Sequence, residues 1–144
     1  MSNLYYFLLD AFASDYELFY GVFDSSNVYI LLFLTGFLLP LLLWTIFYFL
    51  VNYPYTKMFH WIFVMLIILI AVFGISYSQV NITIVGSTSD DFNNLLASDQ
   101  VAQDVANSLP IYFGLLNVLY AFISSIFYCF VLKRFSKIQM HLPF

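Results

Sequence analysis

Charge is what this sequence has least of. Only 8% of its 144 residues are Asp, Glu, Lys or Arg, against roughly 25% in an ordinary soluble domain. Hydrophobic residues make up 63% and aromatic residues 22%, with a mean hydropathy of +0.92. A water-soluble fold of this size buries only about two-thirds of the surface its unfolded chain exposes, so much of that apolar surface would stay wet. Lipid is therefore the expected solvent for most of the chain.

Basic residues are scarcer than acidic ones, four against eight, for a net charge of −4. That excludes a nucleic-acid partner, because phosphate binding needs clustered Lys and Arg. A single cysteine, Cys129, excludes an internal disulfide and a cysteine-rich metal site. No glycine-rich phosphate loop, metal motif or pair of carboxylates at membrane depth occurs. His60 falls at the edge of an apolar run and His141 in the tail, so no imidazole is placed to hold a haem within the bilayer. Ser124, Ser125 and Cys129 lack a base and an orienting group at a spacing that would assemble a nucleophile. The expectation is a protein that is not an enzyme and that has no cofactor or metal, with bound lipids its only small molecules.

What is present is apolar sequence in long charge-free runs. Three of them can cross the roughly 30 Å hydrocarbon layer as helices of about 20 residues, and in lipid only helices or closed barrels satisfy their own backbone. The expected class is an all-α membrane protein: three transmembrane helices, an N-terminal amphipathic helix and a further amphipathic helix in the outer loop. Its divisions are an outer N-terminal helix over 1–27, spans at 28–51, 58–78 and 109–132, an inner turn at 52–57, an outer loop at 79–108 and an inner basic tail at 133–144.

The two signs of charge never mix. Asp10, Asp15, Glu17, Asp24, Asp90, Asp91, Asp99 and Asp104 fall on one side of three crossings, and Lys57, Lys133, Arg134 and Lys137 on the other. The positive-inside rule then puts the C-terminus inside and the N-terminus outside, in a bacterial or organellar inner membrane. A signal peptide is not expected, because the apolar stretch Leu4–Leu9 is short, lacks a preceding Lys or Arg and ends at Asp10.

Along residues 2–24, Asn3, Asp10, Ser14, Glu17, Gly21 and Asp24 share one face, and Leu4, Leu8, Phe12, Phe19 and Phe23 the other. A surface-binding helix usually carries a basic polar face toward anionic lipid. This one is acidic, which suits a helix lying on the outside of a membrane assembly, facing water or a basic partner; a plain interfacial anchor is the alternative. In the first span Pro40 cannot donate to the Gly36 carbonyl, so a bend is expected between Gly36 and Pro40, a structural kink or a gating hinge. Ala71, Gly74 and Ser78 form a small-residue line on the second span. Gln79–Val85 alternates polar and apolar residues, as a short strand does, with another polypeptide as its pairing partner or simply as an extended connector. Asn81-Ile82-Thr83 is a glycosylation triplet. Ser87 to Ser89 can cap an amphipathic helix over Asp90–Asn107, with Phe92, Leu95, Leu96, Ala102, Val105 and Ala106 inward and Asp90, Asp91, Asn94, Gln103 and Asp104 outward.

The third span has the most legible face. Gly114, Asn117, Ala121, Ser124 and Tyr128 form a narrow stripe with Ser125 at its edge, and Leu115, Leu119, Phe122, Ile126 and Phe130 lie opposite. The stripe suits either close packing held by a hydrogen-bonding Asn or the lining of a polar pathway. In a general way the composition resembles that of small hydrophobic subunits of respiratory, photosynthetic or secretion complexes, a likeness that carries no residues across. Two functions are expected from these features. One is a non-catalytic subunit with a structural or assembly role among other membrane subunits; the other is an oligomer of copies forming an ion channel or pore with an acidic vestibule at Asp10, Glu17, Asp90, Asp91 and Asp104.

Overall fold

The computed structural model describes residues 3–13, 17–50 and 58–135. Every regular element among them is a helix: α1 (Asn3–Phe12), α2 (Glu17–Ser25), α3 (Val28–Phe33), a wide π turn (Leu34–Leu38), α4 (Leu39–Leu50), α5 (Met58–Val85), α6 (Asp90–Ser98) and α7 (Gln100–Phe135). Three stretches are long and apolar enough to cross a membrane: Val28–Leu50, Phe59–Val85 and Gln100–Phe135. The expected inner turn at 52–57, Asp15, and the tail beyond Phe135 lie outside the described residues.

The antiparallel pair α5 and α7 makes the most extensive contact in the bundle, and the Val28–Leu50 helix packs on both. The side chains expected on the outward face of α7 are found there: Leu115, Leu119, Phe122, Ile126 and Phe130 are all exposed. The helices are longer than the sequence divisions. With 36 residues α7 runs about 54 Å, and α5 with 28 runs about 42 Å, both beyond the ~30 Å apolar layer.

This lengthening overturns the strand expected over Gln79–Val85, which forms the last turns of α5 and carries the Asn81–Thr83 triplet with it. The alternation is real, but Val80 and Ile84 are four residues apart and both buried against the bundle, whereas Ile82 is 69% exposed. Packing at helical spacing wins over the local period-two pattern. The outer helix expected over Asp90–Asn107 is also divided. Ser89 caps α6 by accepting from the Phe92 N–H at 3.4 Å, and Asp99 starts α7 by accepting from the Val101 N–H at 2.8 Å. From there α7 continues through Pro110 into the third span without interruption.

The N-terminal segment is two helices rather than one. Phe19 and Phe23 are buried as expected, but α1 turns Tyr5, Leu9 and Ala13 inward and leaves Phe12 41% exposed, stacked on Tyr112. Leu4, Leu8, Asn3 and Ser14 lie outside the described side chains. Asp10, Glu17, Gly21 and Asp24 are exposed. Two phenol-to-carboxylate bonds join the pair, Tyr6 donating to Asp24 at 2.8 Å and Tyr20 donating to Asp10.

Buried apolar side chains form two clusters. At the acidic end Tyr5, Phe19, Phe23, Leu32, Phe92 and Phe113 bring α1, α2 and α6 onto the bundle. At the basic end Trp44, Tyr48, Met65, Ile68, Val72 and Cys129 hold the three long helices together. The bond to Asp10, with some loss of hydration and the repulsion of the carboxylate, pushes the Tyr20 phenol up to about 12. Because this value lies above the unfolded one, near 10, the contribution to stability is intact below pH 10 and is lost as pH rises toward 12. Tyrosinate absorbance should therefore show a late-titrating phenol that Tyr20→Phe removes and Asp10→Asn returns to about 10.

Candidate functional site

Between the two apolar clusters lies a polar layer centred on Asn117, which is completely buried. Its Nδ2 donates to the Leu32 carbonyl at 2.9 Å and to Ser76 Oγ at 2.7 Å. Its Oδ1 accepts from the Tyr5 hydroxyl at 3.0 Å. One amide thus ties α7 to α3, α5 and α1. A primary amide has two donors and one acceptor oxygen, and burying any of them unmet in hydrocarbon costs several kcal/mol. Here each kind of group is met.

The first span approaches this amide closely. A Cβ built at Gly36 would fall on Asn117 Oδ1, so only glycine fits there. Gly36 belongs to the π turn, where the Leu39 N–H reaches back five residues to the Leu34 carbonyl. The wide turn sits where the bend between Gly36 and Pro40 was expected, and Pro40 is buried just after it. Proline has no N–H for the Gly36 carbonyl. That oxygen lies 3.3 Å from Ser124 Oγ, one helix away, whose single proton it shares with the Ala121 carbonyl at 3.1 Å.

Further along the same interface, Thr35 Oγ1 and the Gln79 side chain bond at 3.2 Å. Gly114 lies under the ring of Phe73, whose Cε2 would stand 2.9 Å from a Cβ there. Trp61 Nε1 donates to Cys129 Sγ at 3.3 Å, joining α5 to α7 at the basic end. Three buried polar atoms, Tyr29 OH, Trp44 Nε1 and Ser125 Oγ, have no hydrogen-bond partner among the described residues.

The stripe read from the sequence is therefore turned into the bundle. Gly114, Asn117, Ala121, Ser124 and Ser125 are buried and Tyr128 is half-buried. Gly36, assigned to a hinge, and Asn117, assigned to a packing face, meet at one point. The second span departs from expectation. Its line Ala71, Gly74 and Ser78 points away, with Gly74 and Ser78 exposed, and the inward face is Val72, Ser76 and Val80. Tyr5 and Ser76 were both missed. Ser76 could have been found as the polar member of that four-residue row, but only the fold shows that Tyr5 reaches a residue 112 positions away.

The acidic residues are spread over the cap and do not converge. Asp10 accepts from Tyr20, while Glu17, Asp90, Asp91 and Asp104 are exposed on α2, α6 and the start of α7. Among the described residues, no three His, Cys, Asp or Glu side chains gather as a metal site would require. The arrangement can lock helices in register. The chain matches no family model, no curated protein and no solved structure.

Helix propensity favours Ala over Gly by about 1 kcal/mol, so a collision at Gly36 reverses the usual sign. Gly36→Ala should lower stability by about 1–3 kcal/mol in a denaturant titration in mixed micelles. Gly74→Ala, with open space around it, should be neutral or slightly stabilising. Adding Asn117→Ala to Gly36→Ala should cost less than the sum of the single changes, by about 1 kcal/mol, because it removes the atom struck. Strict additivity would mean that the two residues do not touch.

Proposed function

We propose that this chain is a non-catalytic integral membrane subunit with a structural or assembly role in a larger membrane complex. The observation that carries this reading is the use made of the intramembrane polar groups. Asn117, Ser76, Ser124 and the Gly36 carbonyl are bonded to one another's helices, leaving apolar flanks along the spans and acidic side chains at one end. The pore reading draws on the same stripe, which is bonded inside a single chain. The strand expected over Gln79–Val85, which would have called for another polypeptide to pair with, lends the subunit reading no support, since that segment is helical. In this proposal the acidic cap faces the outside, the basic end faces the cytoplasm or organelle interior, and the cap meets a partner rich in Lys and Arg.

Extraction in a gentle detergent should recover the chain with unlike polypeptides in a fixed ratio. Recovery as a lone monomer, or as a homo-oligomer that conducts ions in a planar bilayer, would overturn the reading. The orientation has its own check: Lys57 and Lys137 should be labelled from the same compartment, and Glu17→Cys from the opposite one.

A further inference from the structure

A cavity of about 790 Å³ opens between α2, the start of the first span, the end of α5 and the segment 86–89. Its volume falls in the range of small-molecule sites. Leu18, Leu31 and Ile82, each more than a third exposed, form its apolar margin toward the flanks of the spans. The inner wall is hydroxyl-rich and carries no charged side chain.

The direction of the hydrogen bonds in that wall is informative. Ser25 Oγ donates to the Val22 carbonyl at 3.0 Å, Ser26 Oγ to the Phe23 carbonyl at 3.1 Å and Thr83 Oγ1 to the Gln79 carbonyl at 2.9 Å. Each hydroxyl has one proton, and each has spent it on its own helix. What these three present to the cavity is oxygen lone pairs. The 86–89 segment differs: Ser87 and Ser89 accept from the Ser89 and Phe92 N–H groups and keep their own protons, and Gln79 adds an amide, so the wall accepts along α2 and α5 and can also donate at its other side.

Charge points the same way. Glu17 and Asp24, adjoining Leu18 and Ser25 in the chain, are exposed, and Asp90 and Asp91 start the helix that follows the 86–89 segment. The described basic residues in a helix end, Lys133 and Arg134, are in the last turn of α7, at the opposite end of the bundle. An anionic headgroup would bring negative charge to negative charge.

We propose that this cavity holds one lipid whose headgroup donates hydrogen bonds and carries no net negative charge, an amine- or sugar-headed lipid with its acyl chains lying past Leu31 and Ile82. The site rests on the bilayer placement of the spans given above and not on the subunit role. Gly21 lines the cavity and has open space where a Cβ would stand, so Gly21→Leu fills it without removing a hydrogen bond. Thr83→Val keeps the shape of the side chain and removes its oxygen.

The full chain, with whatever polypeptides accompany it, is placed in phosphatidylcholine nanodiscs containing a minor fraction of phosphatidylethanolamine, a glycosyl diacylglycerol or phosphatidylglycerol. Lipid retained after release is counted by native mass spectrometry. Phosphatidylethanolamine or the glycosyl lipid should be retained over phosphatidylglycerol, the former identifying an ammonium donor and the latter sugar hydroxyls. Retention should disappear in Gly21→Leu and fall about fivefold in Thr83→Val, the loss of one hydrogen bond. It should be unchanged in Thr45→Val, whose hydroxyl makes the same local bond to the Leu41 carbonyl on α4. Preference for phosphatidylglycerol, equal retention of all three, or unchanged retention in Gly21→Leu would overturn the site. Resistance to carbonate extraction is measured alongside: a chain washed from the membrane refutes the placement, whereas a retained chain without selective lipid refutes the cavity alone.

Discussion

A side-chain amide in hydrocarbon has no water to fall back on, and the packing of this bundle follows from meeting the needs of one such amide. Asn117 has no exposed surface and bonds to three other helices. Between apolar helices in lipid there is little hydrophobic preference for one rotation or register over another, since lipid tails are as apolar as leucine. Directional bonds supply that preference. Sliding α5 or α7 by one residue would part Asn117 from Ser76 and strand both in an apolar setting.

The close contacts around the amide follow from the same need. For Nδ2 to reach the Leu32 carbonyl the first span has to pass very near α7, and only a residue without a Cβ permits that at position 36. The π turn and Pro40 loosen the backbone ladder in the same stretch, and the carbonyl that proline cannot serve shares the Ser124 proton with the Ala121 carbonyl. Glycine, proline, serine and asparagine, which look like separate irregularities along two helices, thus answer to one local geometry. Gly114 under Phe73 is the corresponding close approach between α5 and α7.

Away from this layer the molecule has two different ends. The basic end is a packing of Trp44, Tyr48, Trp61 and Cys129 with one indole-to-sulfur bond. The acidic end is wider, because α1, α2 and α6 wrap the tops of the long helices, and it carries the phenol–carboxylate pairs and the hydroxyl-lined cavity. Exposed carboxylates are concentrated there, whereas the long helices present aliphatic and aromatic side chains outward.

The long apolar runs by themselves determined the number of helices long and apolar enough to cross a membrane, since twenty residues without charge have few other uses. Periodicity on α7 also showed which residues turn inward, because Asn117, Ala121 and Ser124 contrast sharply with Leu119 and Phe122. It failed on α5, where nearly every residue is apolar and the small line Ala71–Gly74–Ser78 was as plausible as the row containing Ser76. It failed again over Gln79–Val85, where alternation imitates a strand and burial of Val80 and Ile84 decides for helix. Only the tertiary structure could bring Tyr5, Leu32, Gly36 and Ser76 to one amide, because hydrogen bonds between helices depend on relative rotation and depth. Those quantities are set by all the packed surfaces at once and leave no period in any single segment.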